Sequence, residues 1–232
     1  MKNLVLLALL ICTKTFSQNF YYKEYNTFLG KYVAESGNVN YDKIKNNKSE
    51  LDAIVSQFTK NQPTTKWSKN EKLAYYINLY NINTLKAVVD NYPTKSIKDI
   101  DKVWDKKFIS SGKVKISLSD VENKILRKMN EPRIHFAINC ASFSCPKLYN
   151  EAFAPETLEK QLEAATKNFI NDKTKNTISK ETIKISEVFN WYKEDFVTKT
   201  SSLLDYINKY AAIKIDKNAK ISYAEYNWSL NK

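Results

Sequence analysis

The chain has 232 residues, a formal net charge of +12, 43% hydrophobic and 13% aromatic residues, but only three glycines and one histidine. Such a composition suits a folded chain with one substantial core, not a disordered one. So few glycines argue against phosphate-cradling loops, dinucleotide fingerprints and nucleophile elbows, none of which occurs, and one histidine excludes multi-histidine metal centres.

Nearly all the positive charge is lysine, since Arg127 and Arg133 are the only arginines, and it is scattered along every polar face. It reads as a solvated surface with, at most, an attraction to anionic envelope polymers or lipid headgroups; a nucleic-acid partner is not expected. No cofactor motif is found.

Residues 1–17 have a positive start at Lys2, an apolar run from Leu4 to Ile11 and small residues at Thr15 and Ser17. This pattern predicts a secretory signal peptide cleaved before Gln18, and hence an exported protein, periplasmic or secreted. Cys12 follows Ile11 rather than a small residue, so it reads as part of the signal and not as a lipid attachment site. Residues 18–232 then form one domain with no run long enough to cross a bilayer.

Residues 20–36 mix aromatics and charges at helical spacing, and 38–60 read as a second helical segment. Ser68 and Glu71 form an S-x-x-E capping box opening a long helix through Val89, with Pro93 closing it. This helix is apolar on nearly all sides, yet Asn78 and Asn81 lie one turn apart in its middle. Buried amides need partners. They either tie down a neighbouring loop or face a cleft and bind substrate.

FISSGKVKIS (108–117) alternates around Ser111-Gly112 as a hairpin. The next helix is capped either by Ser117 with Asp120, which puts Leu118, Glu122, Ile125 and Met129 on one stripe, or by Ser119 with Glu122 completing the box. Residues 133–139 read as a short buried strand, 155–172 as an amphipathic helix and TISKETIKIS as a second hairpin. FNWYKEDF and SSLLDYINKYA read as short helices, and a final extended stretch lies within 220–231. The sum is a single helix-rich α+β domain with a small, mainly antiparallel sheet.

Several phrases taken together resemble the DUF547 family, a domain of unknown function: KLAYYINLYN, YPTKSIKDI, SLSDVENKILR, RIHFAINCASFSCPKL, ISEVFNWYKEDF and YNWSLN. Their joint order spans most of residues 18–232, and this chain is identified as an exported, bacterial-type member. The resemblance implies no established reaction. Many members have histidine where this chain has Asn123, and the family pattern keeps His135 more faithfully than either cysteine.

The stretch HFAINCASFSCP (135–146) holds the only histidine and two of the three cysteines. One reading is a thiol-dependent hydrolase or acyl-transfer enzyme acting on an envelope or extracellular substrate. Cys140 or Cys145 would be the nucleophile, His135 the base and Glu122 its orienting group, because a thiol becomes nucleophilic when a neighbouring base or cation stabilises its thiolate. A second reading is a non-catalytic binding module with a structural Cys140–Cys145 disulfide, the usual fate of a cysteine pair in an exported protein. A metal held by His135, Cys140, Cys145 and Glu122 ranks last, because the spacing fits no known zinc pattern. Whichever reading holds, Glu122, His135 and the cysteine loop are expected to converge, since neither buried polar group should stand alone.

Overall fold

The computed structural model describes residues 18–232; the expected signal peptide, residues 1–17 with Cys12, lies outside the described residues. Helix α1 (Gln18–Tyr32) buries Tyr25, Phe28, Leu29 and Tyr32, the i, i+3, i+4, i+7 pattern of one helical face. The segment expected as one helix over 38–60 is two, α2 (Tyr41–Asn46) and α3 (Lys48–Lys60), broken at Asn47, whose φ of −124° and ψ of 38° leave the helical region. Helix α4 (Lys69–Asp90) carries the Ser68–Glu71 capping box and is buried on nearly every side. It forms the axis of a first hydrophobic core, against which α1 to α3 pack.

A hairpin follows, with β1 (Ile109–Ser111) antiparallel to β2 (Val114–Ile116) and Gly112 taking the left-handed conformation its turn requires. Ser117 then caps the next helix. Its hydroxyl accepts from Asp120 N–H at 3.0 Å, and the Asp120 carboxylate accepts from Ser117 N–H at 3.0 Å. Residues Asp120–Leu126 are π-helical, with Arg127 N–H bonded to the carbonyl of Glu122. The wider turn rotates the expected stripe: Leu118 and Glu122 are buried, but Leu126 rather than Ile125 completes it.

Residues 133–139 are not a strand. Pro132–Phe136 is a 3₁₀ turn, started by Pro132 and by the Glu131 side chain accepting from Arg133 N–H at 3.1 Å. Ile134, His135 and Phe136 are all buried, so the apolar run that resembles a buried strand is a buried turn.

Helix α5 (Leu158–Asn171) buries Leu158, Leu162, Ala165 and Phe169. It leads into β3 (Thr177–Ile178) and β4 (Thr182–Ile185), then the short helices α6 (Val188–Trp191), α7 (Lys193–Phe196) and α8 (Leu203–Asn208), and finally β5 (Lys220–Tyr223). Strands β3 and β4 pair antiparallel, whereas β5 joins β4 in parallel, Ile183 opposite Ile221. These elements enclose a second core around Phe136, Phe169, Phe189 and Phe196. The protein is thus a helix-rich α+β fold with two small sheets. No helix among the described residues is long and apolar enough to cross a membrane.

Candidate functional site

A cavity of about 290 Å³ opens where the two cores meet. Tyr80 of α4 and Trp104 line it from the first core, and Val188 and Tyr192 from the second; the half-exposed Trp191 of α6 adds to the lining, and Tyr226 and Trp228 come from the C-terminal segment. Glu122, His135, Cys140 and Cys145 all line it.

The 3₁₀ turn buries His135 completely enough that its ring has one orientation. Tyr192 stacks on it with ring centroids 4.0 Å apart, and Phe196 meets it edge-on at 5.4 Å. Nε2 lies 2.7 Å from Asp195 Oδ2, a residue of α7. A carboxylate only accepts, so Nε2 carries the hydrogen and the neutral ring has its lone pair at Nδ1. Nδ1 is buried and has no partner among the described residues.

Asp195 is itself held by Arg127, with Nε to Oδ2 at 2.6 Å and Nη2 to Oδ1 at 3.0 Å. Burial alone would raise the Asp195 carboxyl; hydrogen bonds from His135 and Arg127 outweigh it and hold the group well below the usual carboxylate range. Arg127 also bonds Glu194 and, at 3.0 Å, Asn123 Oδ1. Asp195, and not Glu122, therefore orients His135. Sixty positions separate the two in sequence, and no spacing rule links them; the only hint was that Asp195 falls in the phrase ISEVFNWYKEDF.

Glu122 is 6% exposed, and its Oε1 has no hydrogen-bond partner among the described residues. Its negative charge is felt by its neighbours: burial, then Glu122, raise the Tyr192 hydroxyl, and Tyr80 is raised by the same two causes in the same order.

The cysteine loop is fastened from several sides. Asn81 accepts from Asn139 N–H at 2.8 Å and donates to the carbonyl of Ala137 at 3.0 Å. Asn139 accepts from Ala141 N–H at 2.8 Å and donates to the carbonyl of Pro146 at 2.7 Å. Ala141 sits at φ 58°, a left-handed conformation that costs a residue with a Cβ on the order of 1 kcal/mol or more and persists because its surroundings impose it. The C-terminal segment closes the far side, with Phe143 N–H to the carbonyl of Ser229 at 2.7 Å and Asn231 N–H to that of Ala141 at 3.2 Å. Asn78 grips Phe153 through both N–H and carbonyl, at 3.0 and 2.7 Å. Neither Asn78 nor Asn81 lines the cavity; of the two roles open to them, the geometry places both amides on the backbone of neighbouring segments.

Cys140 and Cys145 are free thiols here. The Cys140 N–H donates to Cys145 Sγ at 2.8 Å, while Cys140 Sγ lies 3.1 Å from Ser142 Oγ and 3.3 Å from Tyr226 Oη. Burial would raise the Cys140 thiol, but hydrogen bonds from Cys145, Ser142 and Tyr226 outweigh it and bring it down to about 7. Burial and the neighbouring Cys140 push Cys145 well above the ordinary thiol range. The two sulfurs are thus inequivalent: Cys140 is partly exposed and ionises readily, Cys145 is buried and stays protonated. No hydrogen bond joins His135 to either sulfur among the described residues. Nor is any group of three or more His, Cys, Asp or Glu side chains among them arranged to hold a metal ion.

Fold and site together define an α+β protein whose cavity combines a carboxylate-held imidazole with a pair of unequal thiols. Residues 64–170 match the family described as "Protein of unknown function, DUF547". This stretch holds α4, Glu122, His135 and both cysteines, while Asp195 and the aromatic residues from Trp191 to Trp228 lie beyond it. No curated protein and no solved structure matches the chain.

Proposed function

We propose that this protein is a thiol-dependent hydrolase or acyl-transfer enzyme, with Cys140 as nucleophile, His135 as base and Asp195 as the group that positions His135. The observation that carries this reading is the division of labour at His135. One ring nitrogen is fixed on a carboxylate, and the other is unpartnered in a cavity that also contains a thiol brought down to about 7. That is the logic by which a thiol is activated in other nucleophilic sites.

His135 Nδ1 would take the Cys140 proton, and the thiolate would attack a carbonyl carbon, forming the C–S bond as the carbonyl electron pair moves to oxygen. Tyr226, whose hydroxyl is kept protonated by burial and by the thiols beside it, lies 3.3 Å from Cys140 Sγ and would donate to that oxygen. Collapse would expel the leaving group, which takes its proton from His135. Water or another nucleophile, deprotonated at Nδ1, would then cleave the thioester and return Cys140 to the thiolate. The substrate would lie between sulfur and imidazole, so the two need not touch each other. The signal-like N-terminus supports an exported, bacterial-type protein working on an envelope or extracellular substrate.

A second reading has its own observation. The two thiols also contact each other through their side chains, and oxidation would join them, leaving a binding module without a nucleophile. Iodoacetamide labelling of the native protein, followed by mass spectrometry, separates the two. The enzyme reading expects fast labelling at Cys140 that slows in His135→Ala. A mass two hydrogens short, with no labelling until reductant is added, would retire the hydrolase in favour of the module. Fast labelling unaffected by His135→Ala would remove His135 as the base.

A further inference from the structure

The nucleophile and base use only part of this cavity. Glu122 remains, a carboxylate on the π turn with Oε1 unpartnered and the residue almost fully buried. It forms no ion pair within the cluster around Asp195, where Arg127 is already engaged by Asp195, Glu194 and Asn123. Around it the cavity is walled by aromatic rings. Trp191 and Trp228 stack with centroids 5.8 Å apart, Trp104 meets Trp228 edge-on at 5.8 Å, and Tyr80 and Tyr192 complete the wall.

Charge distribution gives this arrangement its direction. The chain has 37 lysines and arginines and a net charge of +12, yet among the described residues no lysine or arginine lines this cavity. Lys98 and Arg127 approach only individual rings, Lys98 that of Trp228 and Arg127 that of Tyr192. A buried carboxylate without a counter-ion is expensive. Aromatic faces, meanwhile, attract cations, above all in a desolvated setting.

We propose that Glu122 and the aromatic wall form a subsite for an organic ammonium group, the protonated amine of a substrate whose acyl carbon is presented to Cys140. An ammonium would supply the donor that Oε1 lacks and the positive charge that the rings and carboxylate both favour. Neutral acyl groups, and anionic ones above all, would be poorer ligands. The substrate role rests on the hydrolase reading; the binding of an ammonium does not.

Three of the chain's four tryptophans line this cavity, so intrinsic fluorescence reports on it directly. The full chain is titrated with n-butylammonium chloride at constant ionic strength, and with n-butanol as the neutral match. The expected result is a saturable change with the ammonium ion and at least tenfold weaker binding of the alcohol. Glu122→Gln should weaken the ammonium at least tenfold and leave the alcohol unchanged; Cys140→Ser should bind the ammonium like the unaltered protein. No saturable response, or equal binding of cation and alcohol, overturns the proposal without recourse to any variant. Should Glu122→Gln fold poorly, the cation-to-alcohol comparison on the unaltered chain still decides. Retained ammonium binding in a protein whose Cys140 proves unreactive would leave the subsite standing while the hydrolase falls.

Discussion

Asp195→Asn tests the assembly around His135. The substitution keeps the shape of the side chain but removes its charge and turns one acceptor into a donor. In the native protein Oδ2 receives both His135 Nε2 and Arg127 Nε, at 2.7 and 2.6 Å, and Oδ1 receives Arg127 Nη2 at 3.0 Å. An asparagine can keep one of these acceptors; its NH₂ would face a donor. Hydrogen bonds to charged groups contribute about 1.5–3 kcal/mol each. Solvent weakens these bonds, because Asp195 and Arg127 are both about one-fifth exposed, and Arg127 retains Glu194. A loss of about 2–3 kcal/mol at neutral pH follows. Urea unfolding should show it as a lower midpoint with an unchanged slope. The pH dependence has a definite sign. Asp195 is depressed in the folded protein, so its contribution is complete above the unfolded carboxyl value of about 4 and fades as pH falls through the lower folded value. The gap between the two proteins should therefore be constant at neutral pH and narrow on acidification. A difference under about 0.5 kcal/mol at pH 7, typical of a substitution touching no special feature, or a gap that widens in acid, would refute the Asp195–His135–Arg127 assembly.

Alkylation of Cys140 should rise with pH through a midpoint near 7, and Tyr226→Phe should shift that midpoint upward by removing a donor to the thiolate, as rate measurements against pH would show. Phe136→Ala, which removes a fully buried ring packed on Phe169, Phe189 and Phe196, should cost about 3–5 kcal/mol in denaturant unfolding. Gly37 has φ 90°, and a Cβ there would sit 2.6 Å from the Cβ of Lys147, so Gly37→Ala should lower the urea midpoint by the equivalent of about 1–3 kcal/mol; an unchanged midpoint would show that this close approach is absent.

Features set by neighbours in sequence were legible in the chain. The Ser68–Glu71 box, both hairpins and the continuous burial of α4 follow from caps, turn residues and apolar periodicity acting within a few positions. The buried run 133–139 was misread because continuous burial suits a strand and a 3₁₀ turn equally, and Pro132 with the Glu131 side chain decides for the turn. The position of Glu122 could be argued from its apolar stripe, but its partner could not. Asp195 satisfies His135 across a gap that only tertiary packing closes, so the economy that should have joined His135 to Glu122 was met elsewhere and left Glu122 Oε1 without a partner among the described residues.

The same long-range logic explains why the two thiols differ although five positions separate them. Asn81, in the middle of α4, fixes Asn139; Asn139 then holds Ala141 and Pro146, the residues that directly follow the two cysteines. With Ala141 forced left-handed, the Cys140 N–H turns onto Cys145 Sγ, and the Cys140 side chain reaches the hydroxyls of Ser142 and Tyr226. Tyr226 arrives from the C-terminal segment, which pairs with the loop at Phe143 and Ala141. The acidity of Cys140 therefore draws on more than its own stretch of sequence. Cys145 and Ser142 within the loop lower it most, Tyr226 from the end of the chain adds to them, and an amide in one core shapes the loop that brings them together. The buried asparagines, although they do not meet the cavity, position the thiol that does.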